Sequence, residues 1–148
     1  MEKQNFYDLN FDQLKAFLLE SAEVEPTKVK MRSQQLFNAV YKKNIKSFDE
    51  LTTFGTELRN KIKNLISLDK PKIIDIQKSK DGTIKFLLEL KDKRNVETVL
   101  IPDKTQSRYT ICLSVSVGCY LSCEFCATAQ ISKKLVRNLS PGEIISQI

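Results

Sequence analysis

The chain has 148 residues, enough for one ordinary domain or two small ones, and its 41% hydrophobic and 28% charged residues make a soluble globular balance rather than a disordered one. Its 24 Lys and Arg against 18 Asp and Glu give a net charge of +6, which suits a polyanionic partner such as RNA and equally suits a plain lysine-rich surface. There is no histidine, which excludes Ser-His and Cys-His catalytic pairs and mixed Cys/His zinc sites and leaves proton transfer to a carboxylate, lysine, tyrosine or cysteine.

In chain order, Met1-Glu2-Lys3-Gln4-Asn5 does not lead into a signal-peptide core, and no apolar run approaches the roughly 20 residues that cross a bilayer. No membrane partner is therefore expected, and a cytoplasmic location is. Residues 1–68 read as a small helical module. Phe11, Leu14, Phe17 and Leu18 form one apolar arc behind an Asn10 N-cap with Gln13 three positions on. Pro26 interrupts that pattern. A second helix is predicted near Arg32 to Tyr41, with Leu36, Phe37, Val40 and Tyr41 on its buried side. A third is predicted over Thr56 to Ile66, with Leu58, Ile62, Leu65 and Ile66 inward and Arg59, Lys61 and Lys63 outward.

Residues 69–104 read as a β-rich connecting segment. Alternating β-branched residues run through Ile74, Ile76 and Thr83 to Phe86, around the hairpin signal Asp81-Gly82. Further strands are predicted over 86–90 and 96–101, with Pro102 ending the last. Residues 105–148 begin with a strand over Tyr109 to Val115 that leads into a cysteine-bearing loop. Ser140-Pro141-Gly142-Glu143 then opens a helix with serine at N-cap and proline at N1. Strand, long loop and helix together make the start of a β/α repeat.

The loop carries the chemistry. Cys119, Cys123 and Cys126 offer three thiolates at C-x3-C-x2-C spacing. Thiolates are the usual ligands of iron–sulfur clusters, and three of them leave one iron of a four-iron cluster open to a small molecule. Structural zinc normally takes four ligands, and Cys112, seven positions before Cys119, would supply the fourth. Spacing alone leaves both metals open. Phe125, just before the third cysteine, offers an apolar ring against which a nucleoside could lie. All four cysteines fall between positions 112 and 126, which is no disulfide framework.

The C-x3-C-x-aromatic-C pattern resembles the radical S-adenosylmethionine superfamily. Met31-Arg32-Ser33-Gln34-Gln35-Leu36-Phe37, Ser47-Phe48-Asp49-Glu50-Leu51-Thr52, Val96 to Pro102, Cys112 to Cys119 and Arg137 to Gln147 resemble one branch of it, the dual-specificity RNA methyltransferases that act on adenosine C2. The resemblance runs in order along nearly the whole chain. It implies an α+β architecture: a helical module, then β-hairpin strands, then the truncated start of a partial (β/α) barrel. It implies a 4Fe-4S cluster on Cys119, Cys123 and Cys126 with exchangeable S-adenosylmethionine, and Phe125 at that cofactor. Partners would be 23S rRNA, tRNA at the anticodon loop, and an electron donor such as flavodoxin or ferredoxin.

In this family a methylated cysteine near the C-terminus yields a carbon radical that adds to adenine C2, and a second thiol resolves the protein–RNA adduct through a transient disulfide. Cys112 takes the position of that resolving thiol, and Glu97 that of the proton acceptor. Two departures stand out: the 102–112 stretch is about two residues longer than expected, and the loop from Cys126 to Arg137 lacks glycine. No cysteine follows Cys126, so the sequence reads as a fragment, inactive alone. Two other readings are a radical relative that methylates C8 and a zinc-stabilised basic RNA-binding module.

Overall fold

Reciprocal capping starts the first helix of the computed structural model, which describes residues 3–103, 105, 107–121, 123–127, 130 and 134–148. Asn10 Oδ1 accepts from the Gln13 amide and Gln13 Oε1 accepts from the Asn10 amide, both at 2.9 Å, satisfying two donors that α1 (Phe11–Glu20) would otherwise leave unmade. Helix α2 spans Pro26–Tyr41, not Arg32 onward, and Pro26 opens it at the first turn instead of interrupting a pattern. The ring has no N–H to lose there and its φ already suits a helix. Helix α3 spans Thr56–Leu65.

Leu14, Leu18, Leu36, Ile62 and Ile66 are fully enclosed around Phe6, and Phe17, Phe37, Leu58 and Leu65 pack partly buried against them. Tyr41 is more open than its helical position suggests, although its ring lies 4.5 Å from that of Phe37. A short parallel pair, β1 (Gln4–Asn5) with β2 (Ile66–Ser67), joins the two ends of this helical unit. That pairing connects residues about sixty positions apart, and nothing local in the sequence announces it. The unit runs Met1–Asp69; Lys70–Ile148 form a second.

The second unit is an antiparallel meander in the order β3 (Lys72–Lys78), β4 (Ile84–Glu89), β5 (Asn95–Asp103), β6 (Arg108–Cys112). Gly82 turns the first hairpin at φ +93°, a conformation that favours glycine, and a Cβ there would stand a tight 3.2 Å from Pro102 Cγ. Strand β5 continues through Pro102, against the expectation that it stops there. Its pairing with β4 ends at Leu100, so beyond it β5 has a neighbour only on the β6 side, and an edge tolerates a residue without an N–H. The strand expected over Tyr109 to Val115 instead breaks after Cys112 and resumes as β7 (Ser116–Val117), paired with β8 (Arg137–Asn138).

Ser140 caps α4 (Pro141–Ile145), with Glu143 completing the reciprocal bonds. Leu88, Leu90, Val96 and Leu139 are the buried core of this unit, with Phe86, Val117 and Ile144 against them. Small helices and an antiparallel sheet make the chain α+β, as its sequence implies. Among the described residues no helix is long and apolar enough to cross a membrane.

Candidate metal and catalytic site

The sheet register sets the site. Cys112 lies opposite Val99, and Val99 lies opposite Lys85. Directly opposite residues share a face, as do positions two apart on a strand, so Lys85, Glu97, Val99 and Cys112 all belong to one face. Glu97 and Cys112 are diagonal neighbours on it, with side chains rooted on the order of 7 Å apart. Lys85 Nζ reaches Glu97 Oε1 at 3.0 Å, and the Glu97 side chain is about half exposed. Cys112 is exposed, which does not fit the role of a small buried packing residue. Lys85 is not marked by the sequence, because only the β4–β5 register sets it on the face of Glu97.

Where β6 ends, side chains replace the ladder. Gln147 Oε1 accepts from the Ser114 amide at 3.1 Å while its Nε2 donates to the Ser114 carbonyl at 2.9 Å, as a neighbouring strand would. The buried Thr98 hydroxyl donates to the same Oε1 at 2.8 Å, and Ser114 Oγ donates to the Glu97 carbonyl at 2.7 Å. One glutamine thus ties the segment after Cys112 to the backbone that carries Glu97. No sequence signal marks this, because its partners lie 33 and 49 positions away.

The cysteine loop departs from a closed base. Val117 pairs with Arg137, the Val136 amide donates to the Val117 carbonyl at 2.9 Å, and the Leu139 amide donates to the Val115 carbonyl at 2.9 Å. Arg137 clamps this base with two bonds of 2.7 Å to the Glu143 carboxylate and a third of 2.9 Å to Asp92. Its guanidinium holds both carboxyls below their ordinary pKa, Glu143 and Asp92 alike, mainly through those hydrogen bonds. The fork geometry matches a carboxylate, the arrangement in which charge-assisted hydrogen bonds are strong.

Gly118 leads into the loop at φ +78°, a conformation that side chains disfavour. The Leu121 amide points at Cys119 Sγ at 3.4 Å, and Cys126 N donates to the Cys123 carbonyl at 3.0 Å, closing a tight turn between the second and third cysteines. The Gln130 backbone amide donates to the Cys126 carbonyl, and Gln130 Nε2 donates to the backbone carbonyl of Glu124, each at 3.1 Å. The three loop cysteines are half-buried and all four are thiols. Phe125 projects almost wholly into solvent, 92% exposed, beside exposed Tyr120 and Leu121. Among the described residues no three Cys, Asp or Glu side chains converge closely enough to hold a metal ion. The donor set nevertheless fits an iron–sulfur cluster: three thiols of one loop, an amide aimed at one sulfur, and no competing disulfide. Gathering such ligands is commonly coupled to metal binding itself.

Residues 4–68 match the family model described as the ribosomal RNA large subunit methyltransferase N-terminal domain. A dual-specificity RNA methyltransferase RlmN from Campylobacter fetus is 39% identical over 156 residues, covering 98% of this chain and 41% of that protein. A probable dual-specificity RNA methyltransferase RlmN from Staphylococcus epidermidis is 37% identical over 147 residues, covering 99% and 38%. The crystal structure of a radical SAM methyltransferase from Sphaerobacter thermophilus superposes with a TM-score of 0.80 at 31% identity, over 97% of this chain and 40% of that one. The chain spans about two-fifths of the length of the curated relatives it matches. Over nearly its whole length the chain is similar in sequence to proteins named dual-specificity RNA methyltransferase RlmN, and in fold to part of a radical SAM methyltransferase.

Proposed function

We propose that this chain supplies the RNA-facing helical module and the metal-bearing beginning of an RNA methyltransferase that modifies adenosine C2 in 23S rRNA and in the tRNA anticodon loop. The observation that carries this reading is the joining of two features by one short segment. A sheet face bearing Glu97 and Cys112 runs through the Gln147 tie and β7 into a three-thiol loop closed at its base. The strand, loop and helix of 105–148 are read as the opening of a partial (β/α) barrel, and the enzyme as cytoplasmic.

Cys119, Cys123 and Cys126 would hold a 4Fe-4S cluster, leaving one iron for S-adenosylmethionine. When bound and reduced by a flavodoxin- or ferredoxin-type donor, that pair supplies one-electron chemistry for making a carbon–carbon bond at an unactivated adenine position. Phe125 would orient the cofactor by lying against its nucleoside. Glu97 would accept the C2 proton as its carboxylate, a role open to it in a chain without histidine. Lys85 fixes that carboxylate from the neighbouring strand. Cys112, exposed on the same face, would supply the thiol that forms a transient disulfide with the formerly methylated cysteine of the full enzyme, breaking the bond from that sulfur to the carbon now attached to adenine and so releasing methylated RNA.

The test is a chimera in which this chain replaces the matching two-fifths of the Campylobacter fetus relative. Cys112→Ala is expected to retain iron and cleave S-adenosylmethionine while accumulating a covalent protein–RNA crosslink. Glu97→Gln is expected to keep iron and fold but slow turnover by roughly 10²-fold or more, the usual contribution of a positioned base. Normal release of methylated RNA by Cys112→Ala removes the resolving role. Methylation at C8 places the chain with the other radical branch, and a colourless chimera holding zinc makes it a binding module.

A further inference from the structure

We propose that Gln147 is a positioning residue for RNA release: through Ser114 and Thr98 it holds the end of β6, and with it the Cys112 thiol, against the backbone of Glu97. The inference rests on the release role proposed above for Cys112. Strand β6 has little of its own to hold it. All five of its residues are exposed, and among the described residues it pairs on one side only, with β5. Cys112 sits on its last rung, opposite Val99, where a ladder opens most readily. A thiol that must meet one particular sulfur is badly served by a fraying end.

Gln147 supplies what the ladder lacks. Its Oε1 accepts from the Ser114 amide at 3.1 Å and from the Thr98 hydroxyl at 2.8 Å, while Nε2 donates to the carbonyls of Ser114 at 2.9 Å and Glu143 at 3.1 Å. The amide thus uses both donors and both lone pairs. Only one orientation serves, because turning it over would set Nε2 against the Ser114 N–H and Oε1 against two carbonyls. Thr98 is 4% exposed, so its hydroxyl depends on that bond. Ser114 Oγ completes the set by donating to the Glu97 carbonyl at 2.7 Å. Glu97 is therefore held twice, by Lys85 at its carboxylate and by Ser114 at its backbone. The cysteine loop is held elsewhere, by the Val117–Arg137 pair and the bond from the Leu139 amide to the Val115 carbonyl. Loss of the Gln147 amide loosens Cys112 without opening the loop.

In the release step the Cys112 sulfur bonds to the sulfur of the formerly methylated cysteine as the sulfur–carbon bond breaks. The electron pair of that bond and the thiol proton complete the methyl group, so carbon is reduced as the two sulfurs are oxidised. The attacking sulfur must lie in line with the bond that breaks, and a misplacement of about 1 Å can cost on the order of 10²-fold.

The experiment has two parts. In the 148-residue chain, Gln147→Met keeps the length of the side chain and removes its amide. Hydrogen exchange at the Ser114 amide should speed up by about 10-fold, the equivalent of one hydrogen bond, while the amides of β4, which is paired on both sides, exchange as in the parent. In the chimera described above, single turnover on RNA separates adduct formation from release. Gln147→Met and Ser114→Ala should bind iron and cleave S-adenosylmethionine as the parent does. They should release RNA roughly 10- to 100-fold more slowly and accumulate the crosslink expected of Cys112→Ala. Ser114→Thr, which keeps the hydroxyl, should restore release. A merely structural role would lower the melting temperature and leave the ratio of crosslink to released RNA unchanged, which overturns the proposal. Equal exchange at Ser114 in parent and Gln147→Met overturns it too. If Gln147→Met does not fold, Ser114→Ala decides, since it removes one bond at an exposed side chain. No crosslink in Cys112→Ala brings down the release role and this inference with it. A crosslink in Cys112→Ala beside normal release in Gln147→Met and Ser114→Ala refutes the positioning alone.

Discussion

At the residue scale, Arg137 does the most to hold the loop in place. It joins the hairpin turn at Asp92, 45 positions away, to strand β8 and the adjoining cap of α4. Because Glu143 and Asp92 titrate lower in the folded chain than in the unfolded one, their contribution to stability is fully present above the ordinary carboxylate range. It is lost as pH falls through the depressed folded values. Thermal unfolding of the sheet unit should therefore occur more readily on acidification below about pH 4. Glu143→Gln should cost about 1 to 2 kcal/mol at neutral pH, since both the fork and the cap weaken, and should flatten the acid limb of the profile. Melting temperatures measured from about pH 3 to 7 check both; an unchanged acid limb in Glu143→Gln would mean that other carboxylates set it.

At the element scale, what is legible in the sequence is local. The Asn10–Gln13 and Ser140–Glu143 caps, the Asp81-Gly82 hairpin and the periodic faces of α1 and α3 all rest on residues within a few positions of one another. The start of α2 is not legible, because a proline at the first helical turn and a proline that breaks a helix look alike until the preceding backbone is known. The β1–β2 pair, the Gln147 tie and the Arg137 clamp depend on contacts across 33 to 64 positions, for which a single sequence carries no pattern. Glu97 and Cys112 stand out in the sequence only through family resemblance, and the β5–β6 register is what places them on one face. The loop base yields a direct test. Gly118→Ala forces a side chain into φ +78° and should cost about 1 kcal/mol. Because the strain falls one residue before Cys119, metal occupancy should drop while the sheet core stays folded. A variant that loads iron as well as the parent would show that the loop takes its shape without this turn.

At the scale of the whole molecule, the positive charge is not spread evenly. The 24 basic and 18 acidic side chains divide as 11 and 10 in residues 1–69 and as 13 and 8 in residues 70–148. The helical unit is thus almost neutral, so bulk charge gives it little pull on RNA. The sheet unit carries the excess, together with the exposed Ile73, Ile74 and Ile76 of β3. The central claim remains the three-thiol metal site, and anaerobic reconstitution of the 148-residue chain with iron and sulfide tests it most directly. The account predicts a brown, oxygen-labile protein with iron and sulfide in equal amounts, lost on replacing any one of Cys119, Cys123 or Cys126 with serine and retained in Cys112→Ala. A colourless chain that takes up a single zinc, and loses it in Cys112→Ala as readily as in the loop variants, would contradict it.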